Sequence, residues 1–289
     1  MRMKTTAVIT AIAALAAVAS LEPTSVSAQQ QGPPARYTPP PGAKDVKAVL
    51  FNWFWHMGML RGPQENEAVA TLEHKATGTI QVDGQPCKLT MYRVSTNYQV
   101  PGQRVQYTCT RANGQELKAI EVVSGQYAWD EDVVGAEIVA GRGKATPRPA
   151  ALAERLIRLW ASPQGAPKAA TAGADKTTVA HDTGKPVVTY PIPGVPGAVA
   201  TATLDAKYMA ERVEVRQGNV VTLFTYADYQ DWNNPLNKIE AFYAGKLVET
   251  RNGAPARDLT TVETETGNVY VVMPVPASVR AAAPAPASK

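Results

Sequence analysis

The sequence predicts a mainly β protein with a few helices, of the α+β class. Alternating polar and apolar residues recur in short stretches, tight-turn dipeptides separate these stretches, and only two segments show clear helical patterning. Turn signals about every ten residues are typical of antiparallel strands that follow one another along the chain. They do not favour parallel strands joined by helices.

Residues 1–28 have the pattern of a secretory signal peptide. Arg2 and Lys4 give a positive start, residues 7–19 form a short apolar stretch, and residues 26–28 supply small side chains for cleavage. The apolar stretch is shorter than the roughly 20 residues that a membrane span needs. A retained membrane anchor is the alternative. We expect an exported chain, periplasmic or secreted, with no transmembrane span after signal removal.

Two segments of low complexity flank the rest of the chain. Residues 29–44 contain two proline runs among Gln, Gly and Ala, and they predict a disordered leader. Residues 279–289 are rich in Ala and Pro and predict a disordered tail. A β domain is therefore expected over residues 45–278.

The first predicted helix begins with Asp45 as its N-cap and runs to about Arg61, where Gly62-Pro63 follows. It is apolar on nearly every face, and its consecutive aromatics, residues 53–55, project in three directions. Such a helix needs burial on all sides, which a concave sheet could provide. Its aromatic residues are interpreted either as ordinary core or as the wall of a ligand cavity.

Predicted strands fill residues 77–129, with turns at 83–84, 101–102 and 113–114. In the strand at 87–94, strict alternation places Leu89, Met91 and Arg93 on one face and Lys88, Thr90 and Tyr92 on the other.

The two cysteines, Cys87 and Cys109, lie at the outer ends of two consecutive predicted strands. Such ends face each other in an antiparallel pair, so a cross-strand disulfide is expected in an oxidising compartment. The alternative is a thiol or metal site, but the pair lacks CxxC spacing.

A second predicted helix, 150–161, carries an apolar stripe with Leu156 and Trp160, while Glu154, Arg155 and Arg158 take its other side. The weakly patterned residues 164–176 predict a loop or short helix over the opening of the sheet. A second series of strands follows from Val187 onward. Its last member, Val269–Met273, is apolar on both faces, so we expect it to be covered on both sides.

The chemical inventory favours binding over catalysis. The three histidines lack a partner at metal-ligand spacing, and no nucleophile elbow, phosphate loop or zinc-protease motif occurs. The acidic residues 130–132 predict a solvated loop rather than a calcium site. The formal net charge of +4 is scattered along the chain and does not indicate nucleic-acid binding. We predict no cofactor, no metal and no enzymatic activity.

Three short segments resemble a known family: residues 100–104, residues 125–129, and residues 224–229 with the later Pro235. With the order of elements over residues 45–278, they resemble the LolA/LppX-like envelope proteins, which include outer-membrane lipoprotein carriers. The resemblance implies a curved, incompletely closed antiparallel β-barrel with helices in its concave face. It also implies a cavity for acyl chains or other apolar ligands, and it places Arg104 near a family arginine.

The leading hypothesis is an exported soluble carrier of a lipid or a lipoprotein acyl chain, bound between sheet and helices, with an envelope protein as a further candidate partner. The expected lining consists of Leu50, Trp53, Phe54, Met57, Leu156 and Trp160, with Arg104 added from the resemblance. The alternative is an envelope structural or protein-interaction module in which these residues are core. A hydrolase is the third hypothesis. An apolar cavity would favour the first, a filled interior the second, and converging carboxylates the third.

Overall fold

The structure is a computed structural model, and it describes residues 38–40, 42–61, 66–67, 69–232 and 242–282. The expected signal peptide, most of the expected leader, Pro235 and the last seven residues of the expected tail lie outside these ranges.

Most of the described chain is antiparallel sheet. Thirteen strands form one sheet in the order β8-β7-β6-β5-β4-β3-β15-β14-β13-β12-β11-β10-β9, and β1 pairs with β2 separately. The strands are β1 (Leu60–Arg61), β2 (Asn66–Glu67), β3 (Thr71–Val82), β4 (Gln85–Asn97), β5 (Gly102–Arg111), β6 (Glu116–Ser124), β7 (Tyr127–Glu131), β8 (Ala145–Pro147), β9 (Thr178–Asp182), β10 (Lys185–Pro191), β11 (Val199–Leu204), β12 (Ala210–Gln217), β13 (Val220–Asp231), β14 (Phe242–Arg251) and β15 (Ala254–Thr266). Nearly every neighbour in the sheet is also a neighbour in sequence, as the spacing of turns predicts.

Four α-helices accompany the sheet: α1 (Val46–His56), α2 (Leu152–Ala161), α3 (Gly165–Ala172) and α4 (Ala277–Ala281). Asp45 caps α1, and its carboxylate accepts a hydrogen bond from the backbone N–H of Ala48 at 3.0 Å. The helix ends at His56 rather than near Arg61, because Gly58 adopts a positive φ of 68° and turns the chain.

The sheet is strongly curved and does not close. Its terminal strands β8 and β9 do not pair with each other, yet α2 contacts β5, β6 and β7 in one half of the sheet and β12 in the other. In a flat sheet β6 and β12 would lie roughly 34 Å apart at ~4.8 Å per strand. A helix about 10–12 Å wide touches both only if the sheet bends around it. The mainly β fold class and the incompletely closed, curved sheet with helices on its concave face are therefore confirmed.

Two hydrophobic clusters fill the interior. The larger joins the buried faces of α1, α2 and α3 to strands from both halves of the sheet. The smaller lies under α4 and includes Trp129, Val271, Met273 and Val279. The disulfide between Cys87 and Cys109 joins β4 to β5, with a Cα–Cα distance of 5.5 Å. The predicted pairing is confirmed.

Several local predictions are wrong. A β-bulge between Leu89 and Met91 shifts the pairing of β4 with β5, so Leu89 and Tyr92 are buried whereas Met91 is exposed. Residues 269–273 form no strand, and Val269 and Tyr270 are exposed while Val271 and Met273 pack on the smaller cluster. Trp55 remains 41% exposed, so α1 is not buried on all sides.

Candidate ligand cleft

The six apolar residues expected to line a cavity come together in the larger hydrophobic cluster. Trp53, Phe54, Met57, Leu156 and Trp160 are buried members, and Leu50 is half-buried against them. The structure thus joins residues of α1 and α2, as the carrier hypothesis requires. They are packed as core, and none lines the cleft described below. Their contact with a ligand stays a prediction.

Arg104 lies elsewhere, on β5 beside the smaller cluster. Its buried guanidinium donates to both carboxylate oxygens of Glu131, with N–O distances of 3.2 and 3.4 Å. The indole N–H of Trp129 and the backbone N–H of Gly135 donate to the same carboxylate. In this structure Arg104 is therefore an internal ion-pair partner, and its role toward a ligand also stays a prediction.

A cleft of about 450 Å³ opens between α2 and the sheet. Its volume falls within the range of ~300–1,000 Å³ that is usual for small-molecule sites. One part of its wall is apolar, another part is charged, and the uncharged polar side chains of Gln81 and Asn252 also line it. The apolar part includes Ile80, Tyr92, Val105, Tyr107, Pro255 and Ala256. The charged part consists of Glu121, Glu154, Arg158, Glu249, Arg251 and Arg257.

Glu249 occupies the centre of the charged wall, with only 2% of its side chain exposed. The Arg158 Nε lies 3.3 Å from its carboxylate, and Arg257 binds the same carboxylate from the neighbouring strand β15. Burial opposes ionisation of Glu249, but the two guanidiniums outweigh it and hold the pKa of this carboxyl below its usual value. The Arg257 guanidinium also donates to the Tyr92 hydroxyl at 2.9 Å.

The mouth of the cleft is bridged by Glu154 from the first turn of α2. One carboxylate oxygen lies 2.7 Å from Nη2 of Arg158, and the other lies 2.6 Å from Nη1 of Arg251 on β14. Nearby, burial and the carboxylates of Glu121 and Asp130 raise the pKa of Tyr107 to about 12. The Tyr107 ring thus keeps its hydroxyl proton at neutral pH.

A smaller cavity of about 20 Å³ adjoins the cleft and shares Tyr92, Arg158 and Arg257 with it. His74 and Tyr243 also line it, and their rings lie 4.9 Å apart. Burial and the Arg257 charge lower the pKa of His74 to about 3, so its imidazole is neutral at physiological pH. The cavity is large enough for a single water-sized molecule.

None of the six charged cleft residues is among the site residues predicted from the sequence. One signal was present, since Leu247, Glu249 and Arg251 alternate along β14 and share a face. Glu154 and Arg158 were expected only on the polar side of α2, and the structure shows that this side also packs on the sheet.

The described part of the chain contains no candidate metal-ion cluster and no candidate membrane-spanning helix. No group of three or more His, Cys, Asp and Glu residues there has the geometry to hold a metal ion. Within the same residues, every helix is too short or too polar to cross a membrane.

No family model matches the chain, and no curated protein matches it. Among solved structures it is similar to one described as "putative outer membrane lipoprotein-sorting protein domain from Vibrio parahaemolyticus". The two are 11% identical with a TM-score of 0.43, over 76% of this chain and 92% of that chain. That description names the type of protein that the sequence resembles.

Proposed function

We propose that the chain is an exported carrier that binds a lipid, or the acyl chain of a lipoprotein, between its sheet and helix α2. The cleft beside α2 supports this proposal, because it pairs an apolar wall with a charged rim, as an amphiphile requires. Burial of the acyl chain would contribute ~0.8 kcal/mol per CH₂ group. Binding, rather than catalysis, is assigned to this site, and no cofactor takes part.

The sequence resemblance to LolA/LppX-like envelope proteins points to the same ligand class. It also suggests a periplasmic or secreted location and an envelope protein that supplies or receives the ligand. The expected lining residues of α1 and α2 lie in the adjacent core. They would contact a longer acyl chain if α2 moved away from the sheet.

The filled interior favours a second candidate, an envelope interaction or structural module without a ligand. Trp53 and Met57 are fully buried, as core residues would be. The two candidates differ in one measurable property, since only the carrier takes up apolar molecules.

The test is displacement of the neutral dye N-phenyl-1-naphthylamine from the purified mature protein by palmitate and by monopalmitoylglycerol. We expect both to displace the dye. Ala256 is half-buried in the apolar wall of the cleft. Ala256→Asp and Ala256→Lys should therefore each lower the affinity for both lipids, measured by dye displacement, about tenfold or more. Charges of either sign are used so that repulsion of a head group is not mistaken for loss of the apolar wall.

Val262→Asp is the matched control, because Val262 lies on the same strand, is 51% exposed and is not part of the cleft. Both lipids should displace the dye from this variant as readily as from the wild type. Circular dichroism reports folding of each variant. If neither lipid displaces the dye from the folded wild type, the carrier proposal fails and the interaction module takes its place.

A further inference from the structure

The Glu154 carboxylate occupies a two-point anion clamp at the mouth of the cleft. Each of its oxygens is held by a different guanidinium, that of Arg158 at 2.7 Å and that of Arg251 at 2.6 Å. The two arginines come from α2 and β14, so the clamp spans the opening between helix and sheet. Guanidinium pairs of this kind match the oxygen atoms of carboxylates and phosphates.

Two acidic groups bind Arg158 closely, Glu154 and Glu249, and Glu154 is the less firmly held. Its side chain is 37% exposed, so a rotation of the side chain returns the carboxylate to water. Exposed ion pairs of this type contribute little to stability. Glu249, in contrast, is almost completely buried and is bound from two sides. Displacing Glu154 would thus leave the guanidinium of Arg158 in place, held by Glu249.

The charge balance of the cleft determines what can replace Glu154. The lining carries three arginines and three glutamates. If Glu154 turned outward with nothing in its place, Arg158 would keep Glu249, whereas the half-exposed guanidinium of Arg251 would be left facing water and the cleft would carry one uncompensated positive charge. An anionic head group restores the balance, whereas a neutral head group does not.

We propose that the cleft selects amphiphiles with an anionic head group, whose carboxylate or phosphate oxygens replace the Glu154 carboxylate between Arg158 and Arg251. This inference rests on the proposed carrier function and names the ligand class of its cleft. The apolar wall with Ala256 and Val105 takes the acyl chain, and the clamp takes the head. A fatty acid and a phosphate-bearing lipid share this chemistry.

The test compares palmitate, lysophosphatidic acid and the neutral monopalmitoylglycerol in the dye-displacement assay, with wild type and Glu154→Gln. Glutamine keeps the size of the side chain and removes the competing charge. We expect Glu154→Gln to bind both anionic lipids roughly fivefold more tightly and to leave the affinity for monopalmitoylglycerol unchanged. Arg251→Gln should lower the affinity for both anionic lipids about tenfold and leave the affinity for the neutral lipid unchanged.

Glu263→Gln is the control, because Glu263 forms an exposed ion pair with Lys75 and does not line the cleft. It should change none of the affinities. Equal binding of anionic and neutral lipids, unaffected by Glu154→Gln and Arg251→Gln, would overturn the anion clamp while leaving the carrier proposal intact. No displacement by any lipid would overturn both. Inorganic phosphate is titrated as a further competitor. If phosphate competes with the anionic lipids at millimolar concentration, the clamp is supported, and a free anion can occupy it as well as a lipid head group.

Discussion

Replacement of Glu249 by glutamine should be among the more damaging single changes to the stability of this fold. The carboxylate is almost completely buried and lies between Arg158 and Arg257, whose own side chains are 17% and 12% exposed. Glutamine keeps the shape but removes the negative charge. Two poorly solvated guanidiniums then face each other without the group that neutralises both.

The expected loss of unfolding free energy follows from these contacts. Breaking a buried ion pair by removing one partner costs about 3–5 kcal/mol. Arg158 retains Glu154 at 2.7 Å and Glu121 at 3.9 Å, which places the loss near the lower end. With an m-value of ~3 kcal/mol per molar urea, about 3 kcal/mol lowers the unfolding midpoint by ~1 M.

Urea unfolding followed by tryptophan fluorescence measures this loss. Glu263→Gln is the matched control, since it removes one member of an exposed pair and should cost no more than about 1 kcal/mol. The pH dependence provides a second check. Because the pKa of Glu249 is lowered in the folded state, its contribution is complete above the ordinary value of 4.5 and is lost as the pH falls below it. Glu249→Gln should therefore be less sensitive to acid. A cost equal to that of Glu263→Gln would refute the role assigned to this network.

Three further predictions concern stability. Reduction of the Cys87–Cys109 disulfide, which links residues 22 apart, should lower the unfolding free energy by about 3 kcal/mol in urea titrations with and without reductant; a double serine variant should not respond to reductant. Gly78→Ala should lower the thermal midpoint more than Gly84→Ala, because a Cβ at Gly78 would overlap the backbone of β15, whereas the one at Gly84 meets open space; equal losses would contradict this reason. Between pH 6.5 and about 3, His74 is protonated in the unfolded chain but not in the folded one, so the unfolding free energy should fall as the pH is lowered through this window. In His74→Gln the urea midpoint should therefore depend less on pH. An unchanged pH dependence would show that His74 is not its cause.

Much of the fold could be predicted from the sequence because its signals are local. Turn dipeptides separate strands that are neighbours both in sequence and in the sheet, so the antiparallel order needs little long-range information. The N-cap of α1 and the disulfide at strand ends follow from similar short-range patterns. The bulge after Leu89 could not be predicted in this way. It reflects how β4 fits both neighbours, and one extra residue reverses the faces of those that follow.

The candidate site was less predictable, because its residues come from separate parts of the chain. Glu154 and Arg158 lie on the polar side of α2, a position typical of solvent exposure. Their partners Glu249 and Arg251 lie more than 90 positions later in sequence, so no local pattern links them. Arg155 shows the same effect, since its guanidinium is buried against backbone carbonyls of Val122 and Trp129.

The concave face of the sheet therefore has two parts with different physical character. Around α1 and α3, apolar side chains can adjust to one another, and they fill the space as a core. Beside α2, the buried Glu249 is fixed between Arg158 and Arg257, because a buried charge needs its partners at hydrogen-bonding distance. Paired charges cannot move inward to fill a gap without losing those partners. The network around Glu249 thus stabilises the fold and also keeps a cleft open at the margin of an otherwise filled interior.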